Sequence, residues 1–159
     1  MTPEHSAPEA YVKAAEPKDI AEVAADLRKE DVAEAWACGI DAKDGLQQSC
    51  NASTYVMAIM EGDKAVGIFG VGPGRLQDLD VGVVWMIGTP GIERISYTFL
   101  RQSRWWVEAM NDKYPVLWNR VYAKNEVHLR WIKWLGFKIL GLGAWGPHNE
   151  PFYQFIRTK

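Results

Sequence analysis

Cysteine and histidine are scarce in this chain, and it has no long apolar run and no block of like charge. The two cysteines, Cys38 and Cys50, have no metal-ligand spacing to any of the three histidines, and 159 residues can bury one substantial core without disulfide staples. Reduced thiols in a cytosolic setting are the expectation. The 18 basic and 20 acidic side chains are interspersed, for a formal charge of −2, so no field exists to concentrate a polyanion. That argues against direct nucleic-acid binding. No apolar stretch reaches the roughly 20 residues that a membrane-spanning helix needs. The polar segment Met1 to Ala10, with Pro3 and Pro8, lacks the apolar centre of a signal peptide. The expected product is soluble and unprocessed, with a flexible arm over residues 1–10 and a single domain over 11–159.

Tryptophan, by contrast, is abundant: Trp36, Trp85, Trp105, Trp106, Trp118, Trp131, Trp134 and Trp145. Core packing accounts for most of these. Their N–H groups still need partners and the residue is favoured at interfaces, so a minority are expected to serve as docking anchors.

Along the chain, Tyr11 to Ala14 reads as a short strand. Pro17 sits near a helix start, with Asp19 in the first turn and Ile20, Val23, Ala24 and Leu27 at helical spacing. Glu30 to Cys38 forms a second helix stopped by Gly39, and the polar segment 41–53, with Gly45, reads as a loop. Thr54 to Met60 and Lys64 to Val71 are strands joined by the hairpin Glu61-Gly62-Asp63, with Gly72-Pro73-Gly74 ending the second. The apolar run Val81 to Ile87 is the central strand, covered on both faces. A helix over Ile92 to Asn111 follows, with Ile92, Ile95, Phe99, Trp106 and Met110 on one face. A strand over Val116 to Ala123, a helix, and strands over Phe137 to Leu142 and Pro151 to Arg157 close the chain. The last two pair antiparallel across a glycine-rich turn, Gly141 to Pro147. The class is α/β (α+β), in the order β-α-α-β-β-β-α-β-α-β-β.

The helix between the late strands carries the most specific pattern. Asn125 can cap it by accepting a hydrogen bond from a first-turn amide, Gly136 supplies a left-handed exit, and Phe137 opens the next strand. An asparagine followed eleven and twelve positions later by Gly-Phe resembles the C-terminal half of the GCN5-related N-acetyltransferase (GNAT) fold. The element order extends that resemblance over nearly the whole chain. It implies a mixed, mostly antiparallel twisted sheet of about six or seven strands with four helices.

The same resemblance sets chemical requirements that this sequence does not meet. An acetyltransferase of this fold holds the pyrophosphate of acetyl-CoA on free amides of a glycine-rich loop after the central strand. The matching loop, Gly88 to Arg94, has two glycines but not the Arg/Gln-x-x-Gly-x-Gly/Ala spacing; Pro90 removes a donor and Glu93 adds a negative charge. The tyrosine acid expected seven positions after the motif asparagine is Ile132, and the strands Val81 to Ile87 and Val116 to Ala123 contain no Asp, Glu or His to act as base. Tyr97, Tyr122, Glu126 and His128 each have an ordinary structural role, so no catalytic and no metal-ligating residue is assigned. Under an acetyltransferase alternative, acetyl-CoA would be the cofactor. Gly91 and Arg94 would then face its pyrophosphate, Met86 and Ile87 would offer backbone groups to the pantetheine, and Asn125 would line the cleft. Otherwise no cofactor is expected, although a CoA-like ligand could bind without reaction.

Two further features point to protein contacts. Projected at ~100° per residue, positions 126–135 place Val127, His128, Leu129, Trp131, Ile132, Trp134 and Leu135 on an arc of roughly 220°, wider than a surface helix normally buries. Trp131 and Trp134 are the candidates for a partner interface. The segment Ala109-Met110-Asn111-Asp112-Lys113-Tyr114, with Leu117-Trp118-Asn119 and then Asn125, His128, Arg130 and Gly136, resembles the internal virion protein A or probable scaffold proteins of short-tailed bacteriophages. Asp31, Glu34, Ala37, Gly39 and Ile40 fit that pattern too. The resemblance implies a role in virion morphogenesis, in the host cytoplasm during assembly and in the virion interior. Its partners would be phage structural or core proteins, or other copies of the chain, without nucleic acid or membrane.

Overall fold

β-Branched and aromatic runs of this sequence pair into one sheet of seven strands, covered by five α-helices, in a computed structural model that describes residues 9–95 and 97–159. In chain order the elements are β1 (Ala10–Ala14), α1 (Pro17–Ala24), α2 (Lys29–Ala37), α3 (Ala42–Ala52), β2 (Tyr55–Glu61), β3 (Lys64–Leu76) and β4 (Leu79–Gly88). A 3-10 turn (Pro90–Arg94), α4 (Tyr97–Lys113), β5 (Val116–Tyr122), α5 (Glu126–Trp134), β6 (Lys138–Trp145) and β7 (Glu150–Thr158) complete the chain. The strands lie in the order β1-β2-β3-β4-β5-β7-β6, all antiparallel except β4 with β5. No described helix is long and apolar enough to cross a membrane.

Mixed α+β architecture, mostly antiparallel pairing and seven strands agree with the sequence reading, and four particulars do not. The segment 41–53 is not a loop but α3: Asp41 accepts hydrogen bonds from the amides of Lys43 and Asp44, and Ala42 and Leu46 are buried while the polar side chains face water. This raises the α-helices from four to five. Gly72-Pro73-Gly74 does not end β3. The strand continues to Leu76 along β4, and its pairing with β2 stops at Val71, so Pro73 lies on an edge where a missing donor is tolerated. The stretch assigned to a glycine-rich turn is mostly β6, the reversal being confined to residues 146–149, with Gly146 and Asn149 at positive φ. The long helix is divided, its first residues forming the 3-10 turn and the rest α4. Ala10 of the expected arm already belongs to β1 and Glu9 is exposed just before it, while Met1 to Pro8 lie outside the described residues.

The sheet is packed on both faces. Val71, Val84, Leu117, Val121 and Phe155 meet Val107 and Met110 of α4 on one side. Ala58, Met60, Ala65 and Ile68 meet Val23 of α1 and Leu46 of α3 on the other.

Candidate site at the split between the central strands

β4 and β5 pair only at Gly82 with Leu117 and Val83 with Trp118, and beyond those two positions the sheet opens. Asn119 closes the start of the split by donating from Nδ2 to the Val84 carbonyl at 2.6 Å. Splitting leaves strand-end amides without a ladder partner, and buried amides must be satisfied elsewhere. α2 supplies the acceptors. Asp31 Oδ2 takes the Gly88 amide at the end of β4 at 2.8 Å, and Glu34 Oε1 takes the Tyr122 amide at the end of β5 at 2.6 Å. The two acids stand three residues apart on one helix face, which is why a single turn of α2 reaches both strands.

A buried ionic cluster holds that turn in place. Arg28, 1% exposed, forks onto Asp31 through Nε at 3.3 Å and Nη2 at 3.1 Å, and also meets Glu93 at 3.1 Å, Glu30 at 3.3 Å and the Asn125 side-chain oxygen Oδ1 at 2.7 Å. Asn125 Nδ2 donates to Asp31 Oδ1 at 3.1 Å. Burial alone would lower the Arg28 pKa, but the hydrogen bond to Asp31 and the surrounding acids raise it. Glu34 is pushed up to about 7, chiefly by burial and further by the Asp31 charge, against the pull of the Tyr122 amide. His128 is held below its usual value, mainly by burial and also by Arg28, so its imidazole is neutral near pH 7.

Asp31, Glu34 and His128 have ligand atoms within 4.8 Å of one another, a spacing that suits a metal ion. The donor chemistry does not. Asp31 already accepts four hydrogen bonds, from Arg28 twice, Asn125 and Gly88, which uses the capacity of a carboxylate. Arg28 beside it adds a positive charge. His128 Nε2, 3.4 Å from Asp31 Oδ1, has no hydrogen-bond partner among the described residues.

Among the described residues, Glu34 is the one acid that borders both sides of the split. Towards α4 and α5 lies an apolar cavity of about 160 Å³, walled by Phe69, Val84, Trp106, Met110, Trp131 and Phe155, with His128 and Asn119 at its lining. Towards α2 and α3 lies an aromatic groove with Trp85, Trp118, Trp145 and Phe152. Within that groove the Arg120 guanidinium lies 5.0 Å from the Trp118 ring and 4.9 Å from that of Trp145.

The residues singled out from the sequence do not converge on one pocket. Met86 lines both cavities and Ile87 only the groove. Gly91 is buried and gives its amide to Thr89 Oγ1 at 3.1 Å, while Arg94 pairs with Glu61 at 2.9 Å. Asn125 is fully buried, and the capping role assigned to it fails: its side chain is claimed by Arg28 and Asp31 and makes no bond to the helix. Gly136 does carry the left-handed exit, at φ 86°. Trp131 is 7% exposed and packs with Ile59, Val66, Ile92, Phe99 and Leu100, so it has little surface to offer a partner. Trp134 is 39% exposed, with Arg104 over its ring and bonded to its carbonyl at 2.8 Å. Tyr122 donates its hydroxyl to Glu150 at 2.8 Å and Glu126 is exposed; the Tyr97 side chain lies outside the described ones. The sequence gives Glu34 no prominence as a site acid, because the resemblance places a base on the strands and Glu34 lies on α2. The available signal was Asp31-x-x-Glu34 on one helix face.

No protein-family model and no curated protein matches the chain. Solved structures do. A GNAT-family acetyltransferase from Streptococcus pneumoniae superposes with a TM-score of 0.60 at 17% identity over 94% of this chain and 99% of the other. YncA from Salmonella typhimurium, a putative acetyltransferase solved with its cofactor acetyl-CoA, gives 0.62 at 15% identity over 94% and 93%. An acetyltransferase from Bacillus subtilis in complex with CoA gives 0.64 at 8% identity over 95% and 99%. At identities this low the likeness concerns architecture alone, and what this chain shares with these proteins is the GNAT acetyltransferase fold.

Proposed function

We propose that this chain uses the acetyltransferase fold as an assembly module, acting through protein contacts in bacteriophage virion morphogenesis without transferring acetyl groups. The observation that carries this reading is the state of the loop after β4. The amides of Gly88, Thr89, Gly91 and Ile92 are committed to Asp31, Val66, Thr89 Oγ1 and the Thr89 carbonyl, and Pro90 has none. Glu93 is tied to the buried Arg28. From Gly88 to Ile92, no amide is left for a pyrophosphate. Trp131 adds to this by packing against Ile92, Phe99 and Leu100, which fastens α5 to that loop and to α4. The phage assignment rests on the sequence resemblance.

Isothermal titration with acetyl-CoA and CoA tests the reading. No heat of binding is expected up to about 1 mM cofactor, whereas micromolar affinity would overturn it.

Glu34 favours a second reading, an active acetyltransferase with acetyl-CoA as cofactor. A carboxylate at the split with a pKa of about 7 is poised to take the proton of an amine as it attacks the thioester carbonyl. The new N–C bond would form as the C–S bond breaks, and with Ile132 at the acid position the proton taken by Glu34 would reach the departing thiolate through water, which restores the carboxylate. Turnover of acetyl-CoA with amine acceptors, abolished by Glu34→Gln, would establish this reading in place of the first.

A further inference from the structure

The sheet ends in two unlike edges. β1 has five residues, and its Lys13 is held by Glu16 at 2.5 Å and Asp19 at 3.0 Å, placing charge at the margin as exposed edges normally do. β6, the other edge, has eight residues, and no charged side chain occurs from Ile139 to Asn149. Leu140, Leu142 and Trp145 are 50%, 59% and 38% exposed along it. An unpaired backbone row bearing apolar side chains is a template for another strand.

Its glycines say more. A Cβ added at Gly141 or Gly143 would meet nothing within 4 Å, and neither residue has a positive φ. Neither packing among the described residues nor a positive φ therefore requires glycine at these positions, although glycine weakens a strand. Most other glycines of the sheet differ: at Gly70, Gly72, Gly74 and Gly82 a Cβ would come within 3 Å of neighbouring atoms. Gly141 lies in the irregularity between Ile139 and Leu142 and is explained by it, but Gly143 stands beyond it, and a glycine on an edge strand without such a reason marks the close approach of another backbone. The pairing of β6 with β7 slips between Ile139 and Leu142, so the regular part of the edge is Leu142 to Trp145.

We propose that β6 pairs antiparallel with β6 of a second copy of this chain about a two-fold axis at Gly143, joining the two sheets edge to edge. A strand that meets itself antiparallel sets the residue on the axis against its own copy and every other residue against the one equally far beyond the axis, so charges of one sign near the axis would repel, and the stretch from Ile139 to Asn149 carries none. The register centred on Gly143 places glycine against glycine at the axis, Leu142 against Ala144, and Trp145 towards Gly141. Each large side chain thus meets a small one. The inference goes beyond the assembly reading and stands whether or not the cleft is catalytic.

Sedimentation velocity of the full chain decides it. The wild type is expected to be a dimer at tens of micromolar. Gly143→Lys, which sets two ammonium groups against each other at the axis, is expected to be a monomer that keeps the wild-type far-ultraviolet circular dichroism, because its side chain enters open space within the subunit, with a thermal midpoint lowered only by what association contributes. Leu142→Lys, at a residue 59% exposed, provides a second variant with the same expectation. A wild type that stays monomeric up to about 100 µM overturns the proposal, as does a dimer that survives both substitutions.

Discussion

The two flanks of the split between β4 and β5 are built on opposite principles. On the α2 flank, Arg28, Asp31, Asn125 and Glu34 satisfy one another and the two strand ends by directed bonds, nearly all out of water. On the α4 and α5 flank an apolar cavity is walled by aromatic and aliphatic side chains, with Trp131 packed between α5, α4 and the loop after β4. Both flanks bear on the two strands of the split, the first through directed bonds from α2 and the second through the packing of α4 and α5. A hydrogen-bonded cluster admits one arrangement, whereas apolar side chains can repack around a change in volume.

Removing Arg28 should produce the largest loss. Arg28→Met keeps the volume but leaves Asp31 buried without its counter-charge, which costs about 3–5 kcal/mol in urea denaturation. If the loss were under about 1 kcal/mol, the ionic flank would not be what positions α2. Trp131→Ala should follow, at about 3 kcal/mol, because it empties a space shared by α5 and the loop after β4. The two variants sharpen the comparison further: the cavity made by Trp131→Ala should be refilled in part by small apolar molecules, detectable as a rise in the thermal midpoint, and no such rescue is expected for Arg28→Met. Asn125→Ala should cost about 2 kcal/mol, since it deprives Arg28 and Asp31 of one bond each. Had Asn125 been a helix cap, serine in its place would restore stability. Bound as it is to Arg28 and Asp31, serine is too short to reach both and should rescue little.

The division between the flanks also explains what the sequence could disclose. Apolar periodicity made the central strand, the late β-α-β unit and the last antiparallel pair legible, because burial of a stripe or an alternating face is a local property. The polar α3 was hidden, its composition being that of a loop and its evidence reduced to Asp41 at the cap with Ala42 and Leu46 on the buried side. The ionic flank was hidden for a different reason. Asn125 has the sequence context of a cap, and nothing local reveals that Arg28, 97 positions away, binds its side chain instead. Glu34 reads as one acid among several on a helix until the fold places it beside the Tyr122 amide, 88 positions later.

Glu34 also gives the comparison its smallest and most specific test. Its folded pKa, about 7, lies above the ordinary carboxylate value of 4.5, so between those limits the folded protein binds a proton that the unfolded chain has released. Its contribution to stability is therefore neutral below about pH 4.5, falls as the pH rises through the window, and is fully unfavourable above about pH 7. His128 acts in the other direction: its lowered pKa weakens the fold as the pH drops below 6.5. The two slopes oppose each other in the wild type, which is why the difference from Glu34→Gln is the informative quantity. Glutamine keeps an oxygen for the Tyr122 amide and carries no charge beside Asp31, while His128 is common to both proteins and cancels. The variant should match the wild type near pH 4.5 and exceed its stability near pH 8 by on the order of 1 kcal/mol, a figure reduced from the full shift because the Glu34 side chain keeps 21% of its surface in water. A difference that stays constant from pH 4.5 to 8 would mean that Glu34 ionises normally, and would remove both its strain on the ionic flank and its candidacy as a base.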